Sequence, residues 1–171
     1  MVVVTISVIA LSANAKKPKK VFKYNAIITN YSEISDKARQ ITFDFELSPY
    51  DQSWLRSFVV RNDLSERIYV EWENARVDNS RVVFGEDRRL MMNLQKADEA
   101  ISPNSNSIVR HITGEKYIET NYIRPLFVSS YLKKHVGVKE HVYLKLPIRY
   151  MDNKIDEIFV EINIWYEEEA K

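Results

Sequence analysis

Apolar and polar residues alternate along much of this chain. In residues 40–47 every second side chain is apolar, which places the apolar set on one face of an extended segment. The same period of two recurs in residues 68–73, 142–149 and 158–166. Each segment therefore predicts a β-strand with one face in a core and the other in solvent.

The segment MDNK at residues 151–154 joins the last two of these predicted strands. Asp and Asn tolerate the left-handed backbone of a tight turn, so we expect a hairpin here. Weaker strand patterns occur in residues 21–29, 57–61, 82–84, 107–113 and 117–122. Helical patterns are limited to residues 90–100 and 126–134.

This arrangement of segments predicts the fold class. Short strands at spacings of 8 to 12 residues are typical of a sandwich or barrel. We expect an all-β, immunoglobulin-like antiparallel sandwich of about seven to nine strands, with one or two short helices. No repeat and no Gly/Ser-rich or Pro-rich linker divides residues 16–171, which predicts a single domain.

The N-terminal segment has the features of a signal peptide. Residues 1–15 carry no charged side chain, contain an apolar run at residues 2–11 and end in Ala13-Asn14-Ala15, a small-x-small pattern. We expect export with cleavage after Ala15. The run of roughly ten apolar residues is too short to span a bilayer, which takes about 20. Its Val, Ile and Thr content also suits a first strand of the fold, and that alternative stays open.

Composition excludes several classes of function. The chain has no cysteine, which excludes thiolate metal sites, disulfides and a cysteine nucleophile. Its three glycines lie too far apart for a glycine-rich nucleotide-binding loop. The 25 lysines and arginines nearly balance the 24 acidic residues, which argues against nucleic-acid binding. We therefore expect no cofactor, no nucleic-acid partner and no enzymatic activity.

Three short motifs carry a resemblance to a known group of proteins. They are FVVRND at residues 58–63, IYVEW at residues 68–72 and ISPNS at residues 101–105. With these motifs the chain resembles uncharacterised exported bacterial proteins that have an immunoglobulin-like sandwich. The resemblance implies an immunoglobulin-like sandwich fold and export from the cell. The family has no established activity, so the resemblance implies none for this chain. In such a sandwich Trp72 is expected to fill the space between the sheets.

Four aromatic residues alternate with the inward-facing sets and are expected on the outer face of the sheet. They are Tyr69, Tyr143, Phe159 and Trp165. A row of rings on one exposed face is a stacking platform for a small ligand or a glycan. A covering helix, a loop or a second copy of the chain is the alternative explanation.

A weaker pattern concerns metal binding. A turn at Gly137 would bring His135, Glu140 and His141 together as two nitrogen ligands and one oxygen ligand, a set that suits zinc. A second pattern is the segment KKPKK at residues 16–20, which suits contact with anionic lipid headgroups or polyanions and, alternatively, a solvated tail.

Together these patterns favour an exported, non-enzymatic interaction or structural module of the bacterial cell envelope, in the periplasm or at the cell surface. We expect it to bind an envelope protein through a sheet edge or loops, because edge strands offer unpaired backbone groups. A homodimer is an alternative form of this interaction. The alternative function is a small-ligand or glycan-binding sandwich that uses the outward aromatic residues.

Overall fold

A computed structural model of the chain describes residues 19–47, 55–84, 97–119 and 124–169. These residues form eleven strands, one short α-helix and two single turns of 3-10 helix. The predicted signal peptide at residues 1–15 and residues 90–96 of the predicted helix lie outside the described residues.

The strands follow one another in two sheets. They are β1 (Lys19–Ile28), β2 (Ile41–Leu47), β3 (Leu55–Asn62), β4 (Ile68–Val70), β5 (Arg76–Val77), β6 (Ser80–Val83), β7 (Glu99–Ile101), β8 (Ser105–Arg110), β9 (Thr113–Gly114), β10 (Lys139–Tyr150) and β11 (Ile155–Glu169). The helix is α1 (Ser129–Lys134).

Every strand pairing is antiparallel. The larger sheet has the order β1, β11, β10, β5, β6, β9, and β4 joins β10 on one side and β7 on the other. The smaller sheet has the order β2, β3, β8. A continuous cluster of buried apolar side chains fills the space between the sheets. The prediction of an all-β sandwich is confirmed. The eleven strands exceed the expected seven to nine because several have only two or three residues.

The alternation of the long strands produces this core. In β10 and β11 every second side chain near the middle of the strand is buried, as the pattern predicted. Trp72 is 1% exposed, packs edge to face on Phe84 with ring centroids 5.3 Å apart, and donates from Nε1 to Glu99 Oε2 at 3.1 Å. The expectation that Trp72 lies in the core is confirmed.

A fully buried asparagine connects the two sheets at a corner. Asn62 Nδ2 lies within hydrogen-bond distance of the backbone oxygens of Glu66 (2.8 Å), Ile101 (3.2 Å) and Ser102 (3.1 Å). Its Oδ1 accepts from the Leu64 amide at 3.1 Å. The end of β3 is thereby attached to the turn that follows β7, and two of the sequence motifs meet at one residue.

Two predicted segments fold differently. The predicted strand at residues 117–122 is wrong at its start, because Glu115–Tyr117 form a 3-10 turn and the Tyr117 hydroxyl donates to Asp78. The predicted strand at residues 107–113 is interrupted at His111, whose φ of 49° breaks the extended backbone. The predicted helix at residues 90–100 is wrong at its end, where Glu99–Ile101 form β7 beside β4.

The helix and the hairpin mark opposite ends of the larger sheet. α1 lies within the predicted helical segment and contacts β11, with Leu132 fully buried. The hairpin between β10 and β11 is confirmed, and Asn153 has the expected left-handed backbone with a φ of 64°.

Candidate functional site

The two sheets are open to each other where β1 faces β2. Among the described strands β1 pairs with β11 alone and β2 pairs with β3 alone, so both are edge strands. Their inner faces meet where the Tyr24 ring packs edge to face on Phe45, with centroids 5.2 Å apart. We call the opening between β1 and β2 the seam.

A cleft of about 420 Å³ lies in the seam. It is lined by Ala26, Ile27, Ile28, Tyr31, Arg39, Ile41, Thr42, Phe43 and Val160. Most of these side chains are apolar, and the volume lies within the range of sites that bury a ligand or a few side chains of a partner.

One edge of the seam is the side of β1 that pairs with no other described strand. The Thr29 amide donates to the Phe159 carbonyl at 2.9 Å. In an antiparallel ladder the backbone groups of successive residues point alternately toward and away from the partner strand. The backbone groups of Ile27 therefore face β11, and those of Ile28 and Ala26 face the seam. The side chains of Ile28 and Ala26 also line the cleft.

The opposite edge is the side of β2 that pairs with no other described strand. The Asp63 amide donates to the Gln40 carbonyl at 3.3 Å, which fixes the alternation of this ladder. The backbone groups of Thr42 consequently face β3, and those of Phe43 face the seam. Phe43 thus contributes both a side chain and backbone groups to the cleft.

The amides on either side of Phe43 have partners within the chain. The Ile41 amide donates to the Ala38 carbonyl. The Phe45 amide donates to its neighbour Asp44 through Oδ1 at 2.8 Å. These bonds confirm that the backbone groups of the odd-numbered residues of β2 point away from β3. Phe43 is therefore the position where an incoming strand would pair with β2.

Arg39 places a positive charge at the rim of the cleft. Its Nη1 pairs with Asp36 at 2.9 Å, and its Nε donates to the Tyr31 carbonyl at 3.2 Å. The guanidinium also lies 5.2 Å from the centroid of the Tyr31 ring. These contacts hold Arg39 beside the cleft, and Asp36 is almost fully exposed, so this ion pair adds little stability.

The four predicted aromatic residues share the outer face of the larger sheet but do not form one platform. Tyr69 lies on β4, Tyr143 on β10, and Phe159 and Trp165 on β11. On β10, Lys139 lies opposite Trp165 and Arg149 lies opposite Tyr69. These two β10 residues are ten positions apart, so at about 3.3 Å per residue the Trp165 and Tyr69 ends of the row are separated by roughly 33 Å.

Three of these rings carry a cation from the neighbouring strand. The pairs are Arg149 on Tyr69 at 4.4 Å, Lys145 on Phe159 at 5.9 Å and Lys139 on Trp165 at 4.6 Å, measured to the ring centroid. Cation–π contacts of this kind explain why large aromatic side chains are tolerated on an exposed face.

The most exposed of the four rings are neighbours. Tyr143 is 43% exposed and Phe159 is 36% exposed. Tyr143 is opposite Glu161 and Phe159 is opposite Lys145, so the two rings lie on a diagonal of the β10 and β11 pair. A smaller, two-ring surface therefore replaces the four-ring row that the sequence suggested.

The predicted metal ligands are separated. The turn at Gly137 forms, with a φ of 86°, but the His135 ring stacks on Tyr131 at 4.1 Å. Glu140 accepts from a backbone amide at 2.6 Å, and His141, the next residue in β10, points to the other face. Among the described residues no group of three His, Asp or Glu side chains is placed to hold a metal ion.

The seam residues were missed by the sequence analysis. The alternation in residues 21–29 and 40–47 predicts two strands, and the predicted function included a sheet edge. Which strand is an edge depends on pairing between distant segments, such as β1 with β11, and the local pattern does not contain that information.

Comparison with known proteins supplies no family. No family model matches this chain, and no curated protein matches it. In the part of the chain that the structure describes, no helix has both the length and the apolar character needed to cross a bilayer. The fold is an antiparallel β-sandwich, an architecture that hosts many unrelated functions.

Proposed function

We propose that this chain is an exported, non-enzymatic interaction module of the bacterial cell envelope, which binds an extended segment of a partner protein in the seam. The observation that carries the proposal is the pair of edge strands that present backbone groups to an apolar cleft of about 420 Å³. Export rests on the signal-like sequence of residues 1–15.

The partner segment adds a strand to β1. Its backbone pairs with Ala26 and Ile28, and its side chains alternate between the cleft and solvent. Every second residue of the segment is therefore apolar. Backbone bonds supply affinity for any extended chain, and the shape of the cleft beside Phe43 supplies selectivity.

Selection from a library of random displayed peptides tests this binding mode. We expect enriched peptides to have apolar residues at alternate positions. Two variants should lower the affinity for the selected peptides at least tenfold. Ala26→Pro removes an amide donor that faces the seam, and Phe43→Asp places a charge in the cleft.

The matched control is Ile108→Asp, which introduces the same charge on the exposed face of β8 in the smaller sheet. This control should bind the selected peptides as the parent protein does. Peptides that still bind the Phe43→Asp variant but no longer bind the Ile108→Asp control would contradict the proposal. Dissociation of a dimer by Phe43→Asp in sedimentation would identify a second copy as the partner.

Glycan binding is the second candidate, and the exposed neighbours Tyr143 and Phe159 favour it. Two adjacent rings on a flat sheet face can stack on sugar rings. Affinity electrophoresis in gels that contain neutral polysaccharides tests this function. Glycan binding predicts that the polysaccharide slows the migration of the parent protein. The double variant Tyr143→Ala with Phe159→Ala should abolish this retardation, and Tyr24→Ala should preserve it.

A further inference from the structure

One end of the sandwich gathers lysines from three elements. They are Lys19, Lys20 and Lys23 of β1, Lys133 and Lys134 of α1, and Lys139 of β10. Lys20 Nζ donates to the Lys133 carbonyl at 2.9 Å, and Trp165 has Lys23 and Lys139 as its two cross-strand neighbours. We call this region the lysine end.

Within the described part of the chain, carboxylates do not form ion pairs with the lysines of this end. None of the six forms an ion pair with a carboxylate of the described residues. Four acidic residues lie nearby. Glu169 and Glu168 are opposite Lys19 and Lys20, Glu167 accepts from Trp165 Nε1 at 2.7 Å, and Glu140 accepts from the Val128 amide at 2.6 Å. The positive surface is therefore concentrated at Lys23, Lys133, Lys134 and Lys139.

Apolar side chains project from the same end. Val128 is 49% exposed, Tyr131 46% and Val138 41%. They precede, belong to and follow α1, whose Leu132 is fully buried in the core. Exposed apolar groups surrounded by lysines are typical of surfaces that enter the interface of a bilayer.

We propose that the lysine end docks on an anionic membrane surface. The lysines contact lipid headgroups, while Val128, Tyr131 and Val138 enter the boundary between headgroups and acyl chains. A soluble polyanion would use the lysines and gain nothing from the apolar side chains, so the combination favours a membrane. The docking involves no spanning segment, and it is separate from the seam.

Sedimentation with lipid vesicles tests the proposal. The probes are vesicles of phosphatidylcholine alone and vesicles that also contain phosphatidylglycerol. We expect the protein to bind the anionic vesicles and to remain in solution with the neutral ones. Each lysine close to an anionic surface contributes about fivefold in affinity. Lys133→Glu with Lys134→Glu should lower the partition coefficient by about twentyfold or more.

Matched controls lie away from this end. Lys154→Glu with Arg61→Glu makes the same change in net charge at exposed positions, and its partition coefficient should stay within about twofold of the parent value. A second pair separates a membrane from a soluble polyanion. Tyr131→Ser with Val138→Ser should weaken binding about fivefold or more, and Met151→Ser with Ile155→Ser should not.

Three results would overturn the proposal. Equal binding to neutral vesicles would remove the role of charge. An equal loss of binding in the Lys154 and Arg61 control would show that the effect is not local. Unchanged binding of the Tyr131 and Val138 variant, with loss in the Lys133 and Lys134 variant, would assign the lysine end to a soluble polyanion.

Discussion

A single side chain fixes the corner between the two sheets. Asn62 carries one acceptor and two donor hydrogens, and in its buried position it faces one amide and three carbonyl oxygens from two turns. The local sequence pattern does not predict that Asn62 reaches the carbonyls of Ile101 and Ser102, because they come from a segment 39 and 40 residues away.

Replacing this side chain should be costly. Asn62→Ala leaves buried carbonyls and one amide without a partner, and we expect a loss of about 3 kcal/mol in the free energy of unfolding. Urea denaturation measures it. The control Asp63→Ala changes the exposed neighbour and should cost less than about 0.5 kcal/mol. A loss below about 1 kcal/mol for Asn62→Ala would contradict this role.

The buried Trp72 side chain should also contribute strongly to stability. Trp72→Ala removes a large ring from the core and a hydrogen bond to Glu99, and should cost about 3 to 5 kcal/mol. Chemical denaturation checks the value against Tyr131→Ala, which truncates an exposed ring and should cost less than about 1 kcal/mol. Similar losses in the two variants would show that Trp72 is not a core residue.

Among the structural elements, the alternation of apolar and polar residues predicted the features that depend on a single strand, namely its position and the face that it buries. Residues 142–149 and 158–166 contain enough alternating positions to define β10, β11 and the face that each one buries. Residues 117–122 contain too few. There the chain forms a 3-10 turn whose Tyr117 hydroxyl donates to Asp78 in a partly buried hydrogen bond, and local propensity cannot anticipate a partner 39 residues away.

A tyrosine and an aspartate anchor the β10 and β11 hairpin to the segment after β1. Asp156 accepts from the Tyr150 hydroxyl at 2.8 Å, from the Ser35 amide at 3.2 Å and from the Ser35 hydroxyl. Burial of the Tyr150 ring, followed by its bond to Asp156, raises the pKa of this phenol well above its usual value.

This shift predicts a loss of stability in alkali. In the unfolded chain Tyr150 ionises near pH 10, whereas in the folded protein it stays protonated to higher pH. The stabilising contribution is therefore complete below about pH 10 and falls as the pH rises toward the folded pKa. Urea denaturation from neutral pH to about pH 11 should show this decline.

Tyr150→Phe removes the ionisable group and should make the decline shallower, although the variant is less stable at neutral pH because Asp156 loses a donor. Tyr24→Phe is the matched control, since Tyr24 is an exposed tyrosine. An equally steep decline in Tyr150→Phe and in the parent protein would exclude Tyr150 as its source.

At the scale of the whole molecule, the two proposed surfaces lie toward different ends. β10 begins beside the lysine end and finishes at the hairpin, twelve residues that span roughly 36 Å. The cleft in the seam lies beside Ile28, at the end of β1 away from the lysines. A protein docked by its lysine end would therefore present the seam away from the membrane.

Export would add to the charge of the lysine end. Cleavage after Ala15 creates an amino terminus at Lys16, three residues before β1 begins at Lys19. The new amino group, Lys16 and Lys17 would precede the strand that contributes Lys23 to the docking surface. Signal cleavage and membrane docking are thus expected to reinforce each other.

Mass spectrometry and N-terminal sequencing of the protein from fractionated cells test this last step. We expect a chain that begins at Lys16 outside the cytosol. Ala13→Arg with Ala15→Arg should block cleavage and leave a longer chain, since signal peptidase requires small residues there, whereas Ser12→Thr should be processed normally. A chain that retains Met1 in the cytosol would contradict export. Residues 2–11 would then be free to act as a strand of the fold, and the partner at the seam would have to be sought among cytosolic proteins.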